Sequence, residues 1–182
     1  MKQSASIYEG GVRVPLIMSW PGVTSDESES DVLISSVDLY PTILATAGVT
    51  LPRNEVCDGI DQSEALRGFG LGRDFVFTYF PHGGKVNAKF IEGFQPSAAI
   101  RKGDWKLIRF FADGYKGNDR LELFNLRRDP GESDNLWESE KVRGEELNRL
   151  MDNLLRDTKS LTPTLNPNWD PEVEQVLSGM EK

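Results

Sequence analysis

The 182-residue chain is 38% hydrophobic and 27% charged, with 17 Gly and 10 Pro, which suits one folded core with a small second layer and excludes a disordered chain. Its net charge of -8 is shared as -4 in residues 1–91 and -4 in residues 92–182, so neither half offers the positive field that a nucleic-acid partner requires. One Cys and one His rule out an internal disulfide and a Cys- or His-cluster zinc site, and no apolar run approaches the roughly 20 residues of a transmembrane segment.

In chain order, Leu16-Ile17-Met18 is a continuous apolar run and predicts a buried strand, ended by the turn Pro21-Gly22. The polar stretch 24–31 predicts an exposed loop. Residues 32–48 predict a helix capped by Ser35 or Ser36, with Asp38 in the first turn, Leu39, Ile43 and Ala47 on one stripe, and Gly48 at the C-cap. Residues 63–68 form a short helical turn. The aromatic and β-branched run 75–80 predicts a strand stopped by Pro81, and 82–94 a long loop.

Beyond that loop the pattern changes. Ser97–Ile100, Trp105–Phe110 and Leu121–Leu126 predict three strands joined by tight turns, hence an antiparallel sheet. Trp105, Leu107 and Arg109 share one face of the second strand, while Lys106, Ile108 and Phe110 share the other. Trp105 is expected in the core and Lys106 outward. Residues 145–159 predict a helix whose stripe of Leu147, Leu150, Met151, Leu154 and Leu155 lies on the sheet. The proline-bearing tail 161–182 predicts no core element. There are no internal repeats.

Five blocks of this sequence resemble the type I sulfatases of the alkaline phosphatase-like superfamily, in family order. They are Tyr8-Glu9-Gly10-Gly11-Val12-Arg13-Val14-Pro15 with Ser19-Trp20-Pro21-Gly22; Ser36-Val37-Asp38-Leu39-Tyr40-Pro41-Thr42; Asp58-Gly59-Ile60-Asp61 leading to Leu66-Arg67-Gly68; Ile100 to Ile108; and Leu123 to Glu132 with Asn135-Leu136. The resemblance is to the C-terminal portion of an arylsulfatase-like enzyme. It implies an α/β fragment at the edge of the catalytic domain, residues 1–90, followed by a small α+β domain, residues 91–182, with an antiparallel sheet and one long C-terminal helix.

The resemblance also implies chemistry. The complete enzyme would be a sulfuric ester hydrolase, cleaving sulfate monoesters with calcium and a formylglycine made from the Cys or Ser of a Cys/Ser-x-Pro/Ala-x-Arg motif. Cys57, in Val56-Cys57-Asp58-Gly59-Ile60, lacks the Pro and Arg of that motif. No metal ligand and no catalytic residue is therefore assigned here. The expectation is that an N-terminal catalytic portion outside these residues supplies both, and that this chain alone is inactive. Periplasmic or secreted localisation stays open for such a parent.

Three residues are candidates for substrate contact. The family's sulfate-contacting Lys precedes the Tyr-Glu-Gly-Gly block; Lys2 lies two residues off that register. His82, after a strand end and before Gly83-Gly84, is placed either to enter the cleft or to sit plainly on the surface. Lys85, with Lys89, could draw an acidic polysaccharide or face solvent. Arg13 is expected to form a structural salt bridge, with Glu9 either its partner or the residue that orders Gly10-Gly11. Aryl sulfates, glycosaminoglycan sulfates and algal polysaccharide sulfates all remain open as substrates. The alternative is a non-catalytic module that binds a sulfated glycan or forms a homodimer.

Overall fold

The computed structural model describes residues 6–70, 72–82, 95–113 and 118–164, and the backbone of 85–86 and 89–90. The chain divides into two compact units: the N-terminal segment to Val14 together with Phe77 onward, and Pro15–Val76.

The first unit is built on a four-stranded sheet in the order β1 (Val76–Phe80), β4 (Ser97–Lys102), β5 (Trp105–Phe110), β6 (Arg120–Asn125). Two further strands, β2 (Lys85–Val86) and β3 (Lys89–Phe90), pair with each other as a short antiparallel hairpin inside the stretch read as loop. β4–β5 and β5–β6 are antiparallel, with Ile100 opposite Leu107 and Leu107 opposite Leu123. The β4–β5 connection is only Gly103-Asp104. Gly103 has φ +57°, the left-handed conformation that so tight a hairpin demands and that glycine adopts without a Cβ clash. The outer edge of β6 is covered: the Leu123 N–H donates to Asn135 Oδ1 at 2.9 Å, and the Leu136 N–H to the Leu123 carbonyl at 2.8 Å.

Both faces of this sheet are buried, so its strands carry apolar residues at consecutive positions. On one face lies α4 (Lys141–Asp157), which packs on β4 and β5 through Leu147, Met151 and Leu155. The helix starts four residues before its predicted boundary because the preceding turn docks against it. A Cβ at Gly144 would stand 2.6 Å from the Trp137 ring, and Lys141 Nζ sits 4.4 Å from that ring's centroid. On the other face, Ile7 and Tyr8 join Ala99, Ile108, Phe110, Phe124 and Leu126 in a closed apolar cluster, with Phe80 against it. Each of these large side chains contributes about 1.5–3 kcal/mol through burial. The N-terminal segment is thus part of this core, packed more than ninety residues away from itself in sequence.

The second unit is different in kind. Its helices are short: a 3-10 turn at Ser36–Asp38 running into α2 (Leu39–Thr46), and α3 (Ser63–Leu66). Helix is absent over 32–35, where Leu33 instead makes a parallel bridge to Gly72. The expected stripe does not face inward either. Ile43 is 58% exposed, and the buried residues of α2 are Pro41 and Thr42. The predicted strand at Leu16–Met18 takes no regular secondary structure and has no partner strand among the described residues, and Ile17 is 93% exposed. A continuous apolar run needs sheet neighbours on both sides to become a buried strand, and the described residues provide none.

Candidate functional site

The Tyr8-Glu9-Gly10-Gly11 block opens a single helical turn, α1 (Glu9–Val12), whose Val12 N–H donates to the Tyr8 carbonyl at 3.1 Å. The turn brings the chain back on itself so closely that a Cβ on Gly11 would stand 2.1 Å from the Ser6 carbonyl oxygen. Only glycine fits there.

Charged groups hold the turn on the sheet. Lys106, on β5, is 2% exposed; its Nζ donates to Glu9 Oε1 at 2.9 Å and to the Ile7 carbonyl at 3.0 Å, and lies 2.9 Å from Glu132 Oε1. That last carboxylate oxygen is within ion-pair distance of the ammonium but outside hydrogen-bond angles. Glu132 Oε2 accepts the Glu9 N–H at 2.6 Å, and Arg101 NH1 approaches Glu9 Oε2 at 3.4 Å. Two cations thus face two carboxylates, and the cluster is neutral, as a buried set must be if it is to persist. Glu132 holds φ +54°. That conformation costs a non-glycine residue about 1–2 kcal/mol, which its two contacts offset. A second tether runs beside the first: the Tyr8 hydroxyl donates to Glu122 Oε2 at 2.7 Å, and Glu122 pairs with Arg120, which also binds Asp113.

These geometries correct two expectations. Lys106 is an interior residue, while Trp105 is only half-buried. Alternation along β5 puts Lys106 on the side of Ile108 and Phe110, and that side is covered by the N-terminal segment. Glu9 pairs with Lys106 and Arg101; Arg13 is exposed.

In the second unit Asp38 is fully buried and organises its surroundings. Its carboxylate accepts from Arg73 Nε at 2.7 Å and from the backbone N–H groups of Ile60 and Ser35 at 2.8 Å each; Arg73 NH2 also approaches at 2.6 Å. Burial alone would raise this carboxyl's pKa, but the Arg73 hydrogen bond, the two backbone N–H groups and the Arg73 charge outweigh it and hold it below the ordinary carboxylate value. Arg73 NH2 donates as well to the Asp58 carbonyl at 2.7 Å. Asp38 is therefore more than a helix-terminus charge: it ties together 35, 58–62 and 73.

Of the sequence-predicted substrate residues, His82 is exposed just beyond β1, its ring edge-on to Phe80 at a 6.1 Å centroid separation. Lys85 opens β2 and Lys89 opens β3, but their side chains, like all of Lys2, lie outside the described residues, as does the tail from 165. Cys57 is half-buried, its thiol directed to the Gly59 carbonyl at 3.6 Å. Among the described residues no group of three or more His, Cys, Asp or Glu is placed to hold a metal ion, so they do not fit a calcium cage. No helix among them is long and apolar enough to cross a membrane.

Residues 3–160 match the family described as N-sulphoglucosamine sulphohydrolase, C-terminal. The chain is 35% identical over 150 residues to arylsulfatase A of Bos taurus, covering 72% of itself and 27% of that protein. It is 34% identical over 143 residues to a sulfatase of Formosa agariphila, covering 74% of itself and 24% of that relative. The chain thus spans about a quarter of the length of these curated relatives. A crystal structure of a candidate sulfatase from Bacteroides thetaiotaomicron superposes with a TM-score of 0.66 at 26% identity, over 91% of this chain and 35% of the other. A second structure from that organism, described with its glycosaminoglycan metabolism, matches at TM-score 0.62 and 23% identity, over 82% of this chain and 30% of the other, and speaks to the fold alone.

Proposed function

Because the chain belongs to the sulfatase family, through its C-terminal domain, we propose that it is the C-terminal part of a sulfuric ester hydrolase that cleaves sulfate monoesters. The observation that carries this reading is the match over residues 3–160, which joins the Tyr-Glu-Gly-Gly turn and the sheet that grips it in one family unit. The division of labour follows from the residues. On this reading nucleophile and metal are supplied by a catalytic portion outside this chain, in keeping with a Cys57 that lacks the formylglycine motif and with described carboxylates that assemble no calcium cage.

The chain itself contributes one wall of the cleft and the small C-terminal domain. Lys2, His82 and Lys85 are its candidates for gripping sulfate oxygens, where cations and hydrogen-bond donors stabilise the charge that develops as the ester breaks. The domain division at residues 90 and 91 is part of the same reading. The test is an aryl sulfate assay with added calcium. The chain alone should give no turnover, and a product extended through the upstream reading frame, carrying a Cys/Ser-x-Pro/Ala-x-Arg motif, should give it. Turnover by the 182 residues alone, or an upstream frame without that motif, overturns the proposal.

A specific observation favours a second reading, a homodimerising module. Ile17, Val56 and Phe69 are 93%, 97% and 68% exposed, which is apolar surface that a second copy could cover. Sedimentation that stays monomeric at high concentration would remove it.

A further inference from the structure

The segment 6–12 reaches the rest of its unit through partners far away in sequence. They are Lys106, Arg101 and Glu132 around Glu9, Glu122 on Tyr8, and the apolar face of Phe110 and Phe124. Within the segment the backbone folds into one short turn. It is therefore a strap attached by the burial of Ile7 and Tyr8 and by these polar contacts, while the sheet beneath it carries its own ladder and is backed by α4.

We propose that the buried cluster of Lys106, Glu9 and Glu132 is a latch that sets whether this strap is docked, and that the strap is released as a unit without unfolding the sheet. Glu132 is the key of the latch. It is 2% exposed and spends one carboxylate oxygen on the Glu9 N–H and the other beside Lys106, from a left-handed backbone that glycine would occupy more easily. A glutamate at a position whose backbone favours glycine is held there by its side chain. Lys106 donates to the Glu9 carboxylate and the Ile7 carbonyl and forms an ion pair with Glu132. Removing either residue leaves buried charge uncompensated at the strap, and undocking is the shortest route by which water reaches it. Resting on the sulfatase reading, the latch gives the C-terminal domain control over the position of the Tyr8-Glu9-Gly10-Gly11 turn, and makes Lys106 and Glu132 positioning residues that need touch no substrate.

Hydrogen exchange of the full chain, read by mass spectrometry, tests this. In Glu132→Gly the amides of Gly11, Val12 and Arg13 should exchange at least about tenfold faster, through an opening that barely responds to added urea, while those of β5 and α4 stay slower than them and rise steeply with urea because they open only with the whole unit. Lys106→Met should do the same. The glycine variant discriminates sharply, because a position that matters only for its backbone would become more protected once the left-handed conformation is eased. Unchanged or slower strap exchange in Glu132→Gly overturns the proposal. So does exchange of strap, β5 and α4 at one common opening free energy and urea dependence in both variants, since the strap is then not a separable unit. Because exchange is blind to sulfate turnover, this result stands or falls apart from the assay above.

Discussion

In the unit built on the sheet, the residues sealed from water include Ile100, Leu107, Ile108, Phe110, Leu123 and Phe124, with one neutral charged cluster set among them. In Pro15–Val76 the residues sealed from water, among those described, are Asp38, Pro41, Thr42 and Gln62, while Ile17, Ile43, Val56 and Phe69 face outward. The first unit draws its cohesion from apolar area and uses charge to fix one segment. The second gathers its buried hydrogen bonds around Asp38 and Thr42 and keeps several large apolar side chains exposed. A segment can therefore have a well-specified local conformation without having a hydrophobic core of its own.

The largest test of this contrast is Lys106→Met. It strands Glu9 and Glu132 together in the interior and should cost about 3–5 kcal/mol, read as a drop in the urea midpoint for the sheet unit. Phe124→Ala should follow at about 3 kcal/mol by the same measurement, through lost burial and the cavity it leaves.

Asp38 sharpens the other side of the comparison. Its folded pKa is lowered, so the stability it contributes is fully present above the ordinary carboxylate value of about 4 and is lost as pH falls through the folded value. Protection of the Ser35 and Ile60 amides should persist from pH 7 to about 4 and fail in more acidic solution. Asp38→Asn should weaken them at neutral pH by about 2 kcal/mol in exchange measurements, with α4 unaffected. The smallest effect belongs to Ile17→Ser. Lying 93% exposed, it should move the stability of the chain by less than about 0.5 kcal/mol. A loss of 2 kcal/mol there would break the contrast, because it would mean that the run is buried after all.

The sheet unit was the more legible in sequence. Trp105–Phe110 is a strand at its predicted bounds, its face assignment is correct, and the helix stripe holds at Leu147, Met151 and Leu155. Those signals are local: alternation and spacing report the covering of a face, whatever covers it. The covering element itself was not legible. Lys106 reads as outward because nothing in its neighbourhood announces that Ile7 and Glu9, about a hundred residues earlier, close over it. Alternation with Ile108 and Phe110 was the one available signal. Asp38 was read as a helix charge because Arg73 lies 35 positions away, across a loop without pattern. The helix over 32–48 failed for a related reason: the apolar periodicity of Leu39 and Ile43 presupposes a core that this unit lacks. Of the candidate substrate residues, resemblance named Lys2 and composition suggested Lys85, but only His82 has a described side chain, exposed beyond β1.

The close approach of Gly144 to Trp137 has a consequence for recombining this domain with its relatives. The indole occupies the space that any side chain at 144 would need, so the two positions are one unit of inheritance. A crossover placed between them, joining the turn of one parent to the helix of another, would lever α4 away from β4 and β5 unless both parents carry the same pair. Crossovers before Trp137 or after Gly144 keep the interlock intact and should yield folded chimaeras.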